Sequence, residues 1–160
     1  SRGSLRYVQE KFAKVSMRNC LSNLYTKFRS AKDEGPRMII GSLTSEEESI
    51  DTLMHIIVAQ NIGWDVTYVG NSVPHDEMTY MANRIKASTI VVALNNPSDV
   101  ARKTYEIKTM KELADLKDNI VLIGTQANTY RQIADDVNAV ISQDLSSFRL
   151  TLERLYGLIR

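Results

Sequence analysis

From Arg37 to Leu158 the chain alternates short apolar runs with amphipathic stretches, five times in succession. This alternation constrains the fold more than any other feature. A β run, a helix and another β run of this length form a parallel crossover, and five such units build a sheet covered on both faces. The strand candidates are Arg37–Leu43, Trp64–Val69, Ser88–Leu94, Asn119–Ile123 and Val137–Ile141. The helices between and after them read as Glu46–Ile62, Pro74–Lys86, Asp99–Leu116, Ala127–Asp135 and Leu145–Leu158. Ile50, Leu53, Met54, Ile57 and Val58 share one helical face, which Gly63 closes, and Pro74 opens the next helix in its first turn. The expected fold is therefore α/β, a doubly wound five-stranded parallel sheet with right-handed crossovers.

Ahead of this body, Leu5 to Ala31 reads as one long helix. Leu5, Val8, Phe12, Val15, Cys20, Leu21, Leu24, Tyr25 and Phe28 recur at near-helical steps, and Asp33-Glu34-Gly35-Pro36 breaks the pattern. Two regions result, a helical segment over 1–34 and an α/β domain over 36–160. Ser1-Arg2-Gly3-Ser4 reads as a cloning remnant and the chain as a piece of a longer protein. Net charge is +1, with acids and bases interspersed, so no basic block points to direct nucleic-acid binding. No apolar stretch approaches membrane-spanning length. The single cysteine, Cys20, excludes an internal disulfide and suits a reduced, cytoplasmic setting, as a structural thiol.

In a doubly wound sheet, ligands bind at the carboxyl ends of the strands. The loops there are Leu43–Ser45, Gly70–Val73, Asn95–Ser98, Gly124–Gln126 and Ser142–Asp144. The first leads into Glu46-Glu47-Glu48, where a dinucleotide fold would need glycines, and three carboxylates repel phosphate. A phosphoacceptor domain needs an aspartate after the third strand and a lysine after the fifth. The chain has Asn95-Asn96 and Ser142-Gln143-Asp144 instead. No Gly-x-Ser-x-Gly elbow and no Cys/His pair at metal-ligand spacing occurs, and His55 and His75 read as structural. What remains is uncharged and polar: Asn95, Asn96, Thr125, Gln126 and Asn128. They suit either amide and hydroxyl ligands or turn and cap duties. Ser45 and Glu48 have capping-box spacing, in which Ser45 accepts from the third helical N–H and Glu48 reaches back.

Several segments together resemble the cobalamin-binding Rossmann-like domain, in the version found in MerR-type, light- or cobalamin-responsive transcription regulators. They are Gly63-Trp64-Asp65-Val66-Thr67-Tyr68-Val69-Gly70, Pro74-His75-Asp76-Glu77-Met78, Val91-Val92-Ala93-Leu94 and Ile120-Val121-Leu122-Ile123-Gly124. Val8-Gln9-Glu10-Lys11-Phe12 is similar to a segment of the helical cap over cobalamin, which implies that the first helix is part of such a cap. The resemblance implies a cobalt-ligating histidine in a Glu-x-His-x-x-Gly motif. The aligned residues read Glu46-Glu47-Glu48-Ser49-Ile50-Asp51, with Glu48 at the histidine position and Asp51 at the glycine position. The other signature positions hold Asn95-Asn96-Pro97, Gly124-Thr125 and, in the cap helix, Lys11. A carboxylate is a poorer cobalt ligand than neutral imidazole, and side chains at glycine positions obstruct a buried ligand tail.

The resemblance thus implies a non-enzymatic regulatory or sensory effector domain of a bacterial regulator that has lost its cobalt ligand. Cobalamin remains a possible cofactor, and no metal site is expected. Such a domain would follow a DNA-binding head absent from this chain and act through self-association, as a homodimer or higher oligomer. The alternatives are a cobalamin or haem sensor with other ligation and a corrinoid carrier subunit of a mutase or methyltransferase. If any ligand binds, the pocket candidates are Ser45, Glu48, Asp51, Asn95, Asn96, Gly124, Thr125, Gln126 and Lys11.

Overall fold

The computed structural model describes residues 2–29, 35–43, 49–116 and 119–159; within these, side chains are described except at 2, 22, 24–29 and 116. Helix α1 (Arg2–Arg29) is followed by β1 (Arg37–Gly41), α2 (Ile50–Ile62), β2 (Asp65–Tyr68), α3 (His75–Arg84) and β3 (Thr89–Ala93). Then come α4 (Val100–Leu116), β4 (Asn119–Ile123), a 3-10 turn (Ala127–Tyr130), α5 (Arg131–Asp136), β5 (Val140–Ile141) and α6 (Leu145–Ile159). The sheet order is β2-β1-β3-β4-β5, and every pairing is parallel. This is the doubly wound α/β fold expected from the alternation.

Successive strand residues face opposite sides of a sheet, and here both sides are core. Ile39, Ile90, Val92, Ile120 and Leu122 pack with Met78 and Ala82 of α3, Met110 and Leu113 of α4, and Ile133 of α5. Met38, Ile40, Val91, Val121 and Ile123 pack with Leu53, Ile56 and Ala59 of α2, Trp64, and Phe148 and Leu152 of α6. That is why these strands read as continuous apolar runs rather than as alternating ones. On the α2/α6 side, Trp64 meets Tyr156 edge-on at 6.4 Å, and His55 lies 4.9 Å from the Phe148 ring.

Several boundaries differ from the sequence reading, each for a local reason. Helix α2 starts at Ile50 rather than Glu46, because Ser49 is its N-cap in extended conformation and accepts from the Thr52 N–H. Its carboxyl end is as read: Gly63 adopts φ 118° and returns its N–H to Ala59 and Gln60. Pro74 stands one position outside α3, as its N-cap residue. The last strand shrinks from Val137–Ile141 to Val140–Ile141, since Val137 ends α5 and Asn138 takes φ 56°. Cys20 is exposed on α1 rather than packed in a core. Much of the apolar face read on this helix is also exposed, while Leu21 packs against the α2/α6 core. No helix among the described residues is long and apolar enough to cross a membrane.

Phe148 is fully buried where α6, α2 and the sheet meet. Phe148→Ala is expected to lower unfolding free energy by about 3–5 kcal/mol, the usual cost of emptying so large a core site. Urea denaturation followed by circular dichroism measures it.

Candidate functional site

The strand order reverses direction between β1 and β3, so the crevice outside their carboxyl ends is where a doubly wound sheet places its ligand. In this chain side chains bridge that crevice. Thr52, buried in the first turn of α2, accepts at Oγ1 from Asn95 Nδ2 at 3.2 Å. Asn95 follows β3, so the bond ties the helix after β1 to the loop after β3. Thr125 donates its hydroxyl to the Asn95 carbonyl at 2.8 Å, and the Gln126 N–H reaches the Leu94 carbonyl at 2.9 Å.

Gly124 explains how β3 and β4 deliver their loops so close together. It adopts φ 107°, and a Cβ there would lie 2.4 Å from the Leu94 carbonyl oxygen and 2.7 Å from Asn95 Oδ1. Only glycine suits both the left-handed backbone and the contact. The glycine that the resemblance places here is thus retained for backbone packing. The next position, Thr125, carries a side chain that folds back onto the Asn95 backbone.

Behind these two loops lies a charged cluster that sequence reading missed. Glu106 on α4 is 1% exposed. Its carboxylate accepts from Tyr130 Oη, from Ser98 Oγ at 3.2 Å and from Arg102 Nε at 3.2 Å. Ser98 belongs to the loop after β3 and Tyr130 ends the 3-10 turn after β4, so one buried carboxylate holds both loops. Burial, then the hydrogen bond to Glu106, pushes the Tyr130 phenol up to about 12. Lys103 donates to the Thr129 carbonyl at 3.1 Å and sits over the Tyr130 ring at 5.1 Å, closing the outer side. The one sequence signal was a Glu106 preceded at helical spacing by Arg102, a pairing that usually marks a solvated helix face.

At the end of β5, Asp144 caps α6. Its carboxylate accepts from the Ser147 N–H at 2.7 Å, while Ser147 Oγ accepts from the Asp144 N–H at 3.3 Å. A reciprocal capping box therefore opens α6, with serine in the place usually taken by glutamate. These bonds to Ser147 hold the Asp144 carboxyl below the usual carboxylate range.

The sequence-derived candidates divide accordingly. Ser45 and Glu48, and with them the capping box read there, lie outside the described residues. Asn95, Gly124, Thr125 and Gln126 come together at the ends of β3 and β4. Asn96 is exposed in the same loop. Asp51 is half-exposed in the first turn of α2, where its carbonyl and carboxylate both approach His55 Nδ1, at 2.7 and 3.6 Å. Lys11 lies on an exposed part of α1. Asn128 accepts from Arg131 and Gln143, both at 3.0 Å, which is turn duty rather than an open ligand contact.

The chain has two histidines, and one ring nitrogen of each is engaged. His55 Nδ1 is held at the Asp51 carbonyl, and its Nε2 is buried, beside the Phe148 ring, without a hydrogen-bond partner among the described residues. His75 Nε2 pairs with Glu112 of α4 at 2.7 Å. Among the described residues, no group of three or more His, Cys, Asp or Glu side chains is placed to hold a metal ion. Among the described residues His55 is enclosed in the core and His75 Nε2 is taken by Glu112, which does not fit a cobalt centre ligated by either of them, and the Thr52–Asn95 bridge does not fit an open channel between β1 and β3.

No family model matches the sequence, and no curated protein matches it either. Solved structures do. A cobalamin-binding protein from Desulfitobacterium hafniense DCB-2 superposes with a TM-score of 0.58 at 13% identity, covering 74% of this chain and 58% of that one. The methanol:cobalamin methyltransferase complex MtaBC from Methanosarcina barkeri gives a TM-score of 0.60 at 12% identity, covering 76% and 46%. The monomethylamine corrinoid protein of Methanosarcina barkeri gives 0.62 at 15% identity, covering 86% and 66%. The fold is that of these corrinoid proteins, and this chain spans about half to two thirds of their length.

Two measurements probe the loop supports. Tyr130→Phe removes one donor from the buried Glu106 carboxylate and is expected to cost about 1–3 kcal/mol in urea denaturation. Asp144, with its folded pKa depressed, adds stability above the unfolded carboxylate range and loses it as pH falls through the folded value. Asp144→Asn is therefore expected to be less stable than the native chain at neutral pH, with the gap vanishing in acid. Thermal melts across pH 2 to about 7 measure that convergence.

Proposed function

We propose that this chain is a regulatory or sensory effector domain built on the corrinoid-binding fold and no longer dependent on cobalt ligation. The observation that carries the reading is the bridged crevice. Where that fold would receive a ligand tail, Asn95 is bonded to Thr52 and Thr125 is folded onto Asn95, and one nitrogen of each histidine is taken, by the Asp51 carbonyl and by Glu112. A domain that keeps the sheet, the loop-setting glycine and the loop supports without the ligand nitrogen is suited to transmit a conformational or assembly signal. Among the described residues of the strand-end loops, no nucleophile–base pair is placed for a reaction. In this reading the domain follows a MerR-type DNA-binding head and acts through self-association, and α1 belongs to a helical cap.

The second reading is a cobalamin sensor or corrinoid carrier that holds its ligand without a protein nitrogen. Its support is the fold shared with a cobalamin-binding protein and a corrinoid protein. Absorbance titration with hydroxocobalamin and adenosylcobalamin in the dark, followed by size-exclusion chromatography, separates the two. The effector reading expects free corrinoid spectra and no co-elution. A perturbed spectrum travelling with the protein would establish the second reading instead. Asn95→Ala, which removes the bridge to Thr52, is expected to leave the free corrinoid spectra and the absence of co-elution unchanged. Binding gained by that variant would identify Asn95 as the gate.

A further inference from the structure

We propose that the end of the sheet opposite the crevice carries a second site, a cavity between β4, β5 and α6 that binds a small monocarboxylate with a short apolar chain. This goes beyond the effector reading and does not depend on it, because the two places lie at opposite ends of the strands. The cavity has a volume of about 240 Å³, and its walls come from the amino half of β4, from Asn138 and Val140, and from Arg154, Leu155 and Leu158 of α6. At about 30 Å³ for each water-sized group it admits about eight non-hydrogen atoms, the size of hexanoate. The short last strand makes this space. β4 pairs with β3 at every residue from Asn119 to Ile123, but with β5 only at Val121 and Leu122. The residues that would extend β5 backwards are held elsewhere. The Asn138 and Ala139 N–H groups bond back to Asp135 and Ala134 of α5, at 3.4 and 2.8 Å, and Asn138 takes φ 56°. Asn119 and Ile120 therefore have no paired strand on that side, and α6 borders the gap.

The lining specifies the ligand. Leu155 is buried, at 6% exposure, whereas Leu158, nearly one turn later on the same face of α6, is 75% exposed. An apolar chain laid between them and Val140 removes the Leu158 side chain from water, which is favourable in proportion to the area covered. Arg154 shares this face of the helix, four residues before Leu158. Arg149, earlier on α6, is paired with Glu153, but Arg154 has no ion pair or hydrogen bond among the described residues. A guanidinium is a planar donor fork that matches a carboxylate. The Asn138 amide is a further donor on the lining. Asn119 gives its Nδ2 to the Ser88 carbonyl at 3.3 Å. One cation and two neutral amides are the polar side chains of the lining. They match a single negative charge, which favours a carboxylate over a doubly charged phosphate. An apolar recess with a few convergent polar groups is the usual form of a small-molecule site.

Titration of the isotope-labelled full chain with sodium hexanoate, followed by amide NMR up to about 50 mM, tests this, since a ligand so small binds in the millimolar range. Saturable shifts are expected at Ile120, Val140, Leu155 and Leu158. Hexylamine, with the same chain and the opposite charge, should give no saturation. Arg154→Gln should weaken hexanoate by about fivefold, the scale of one exposed charge contact, and Leu158→Gln should weaken it as well. Both side chains are exposed, so both variants should keep the native amide spectrum. Leu150→Gln, at an exposed leucine of α6 outside the cavity, should leave the affinity alone. Shifts that never saturate overturn the site. Saturation by hexylamine, or an affinity indifferent to Arg154→Gln, overturns the carboxylate as its ligand. Shifts gathered instead around Asn95 and Thr125 overturn its placement and put the ligand in the crevice.

Discussion

The central strand sets the terms for the rest of the molecule. β3 pairs with β1 on one side and β4 on the other, and all five of its residues are buried. A strand hydrogen-bonded on both edges and apolar on both faces cannot persist in water, so it exists only while helices cover both sides. Its carboxyl end is the one place where this sealed structure opens into loops. Leu94 shows the transition: its N–H still bonds to Ile123, and its carbonyl already serves the Gln126 N–H beyond β4. The ladder therefore runs one residue past the strand, and the two loops leave the sheet joined.

That junction decides how the crevice is built. Gly124 lets the β4 loop press against Leu94, Glu106 holds Ser98 and Tyr130 from below, and Asn95 spans to Thr52 from above. A buried carboxylate would oppose folding if it lacked partners; here hydroxyl and guanidinium donors surround it. The combination favours one fixed loop arrangement over an adaptable one. In a binding fold that is a choice of shape over capacity.

The order and type of the elements were legible because a doubly covered parallel sheet writes itself as apolar runs separated by helical periods, and β4 was read to the residue. Boundaries that depend on a cap were less legible. Ser45 and Ser49 both precede acidic residues at plausible spacing, and nothing local says which of them caps a helix. The bonds of Ser49 and of Asp144 with Ser147 are facts of geometry. The polar candidates Asn95, Thr125 and Gln126 were found because the fold rule points to strand ends, and their joining to Thr52 required the third dimension. Glu106 and Tyr130 were invisible for a plainer reason. A glutamate on a helix beside an arginine is ordinary surface chemistry until a tyrosine 24 residues later in sequence closes over it. Leu5, Val8, Phe12 and Val15 were read as apolar positions correctly, but periodicity alone does not say which body a face is turned towards.

The separation between the Glu106 cluster and the residues at the crevice has an evolutionary corollary. Loop geometry is fixed by a cluster centred on the buried Glu106 and Tyr130, while Asn96, Thr125 and Gln126 stand at partly or fully exposed positions. Substitutions at those positions can accumulate without dismantling the cluster. A lineage on this scaffold is thus at liberty to exchange one recognition chemistry for another, or to abandon recognition, while its folded shape persists. Such a lineage would keep its architecture recognisable in superposition long after its sequence had ceased to match its relatives.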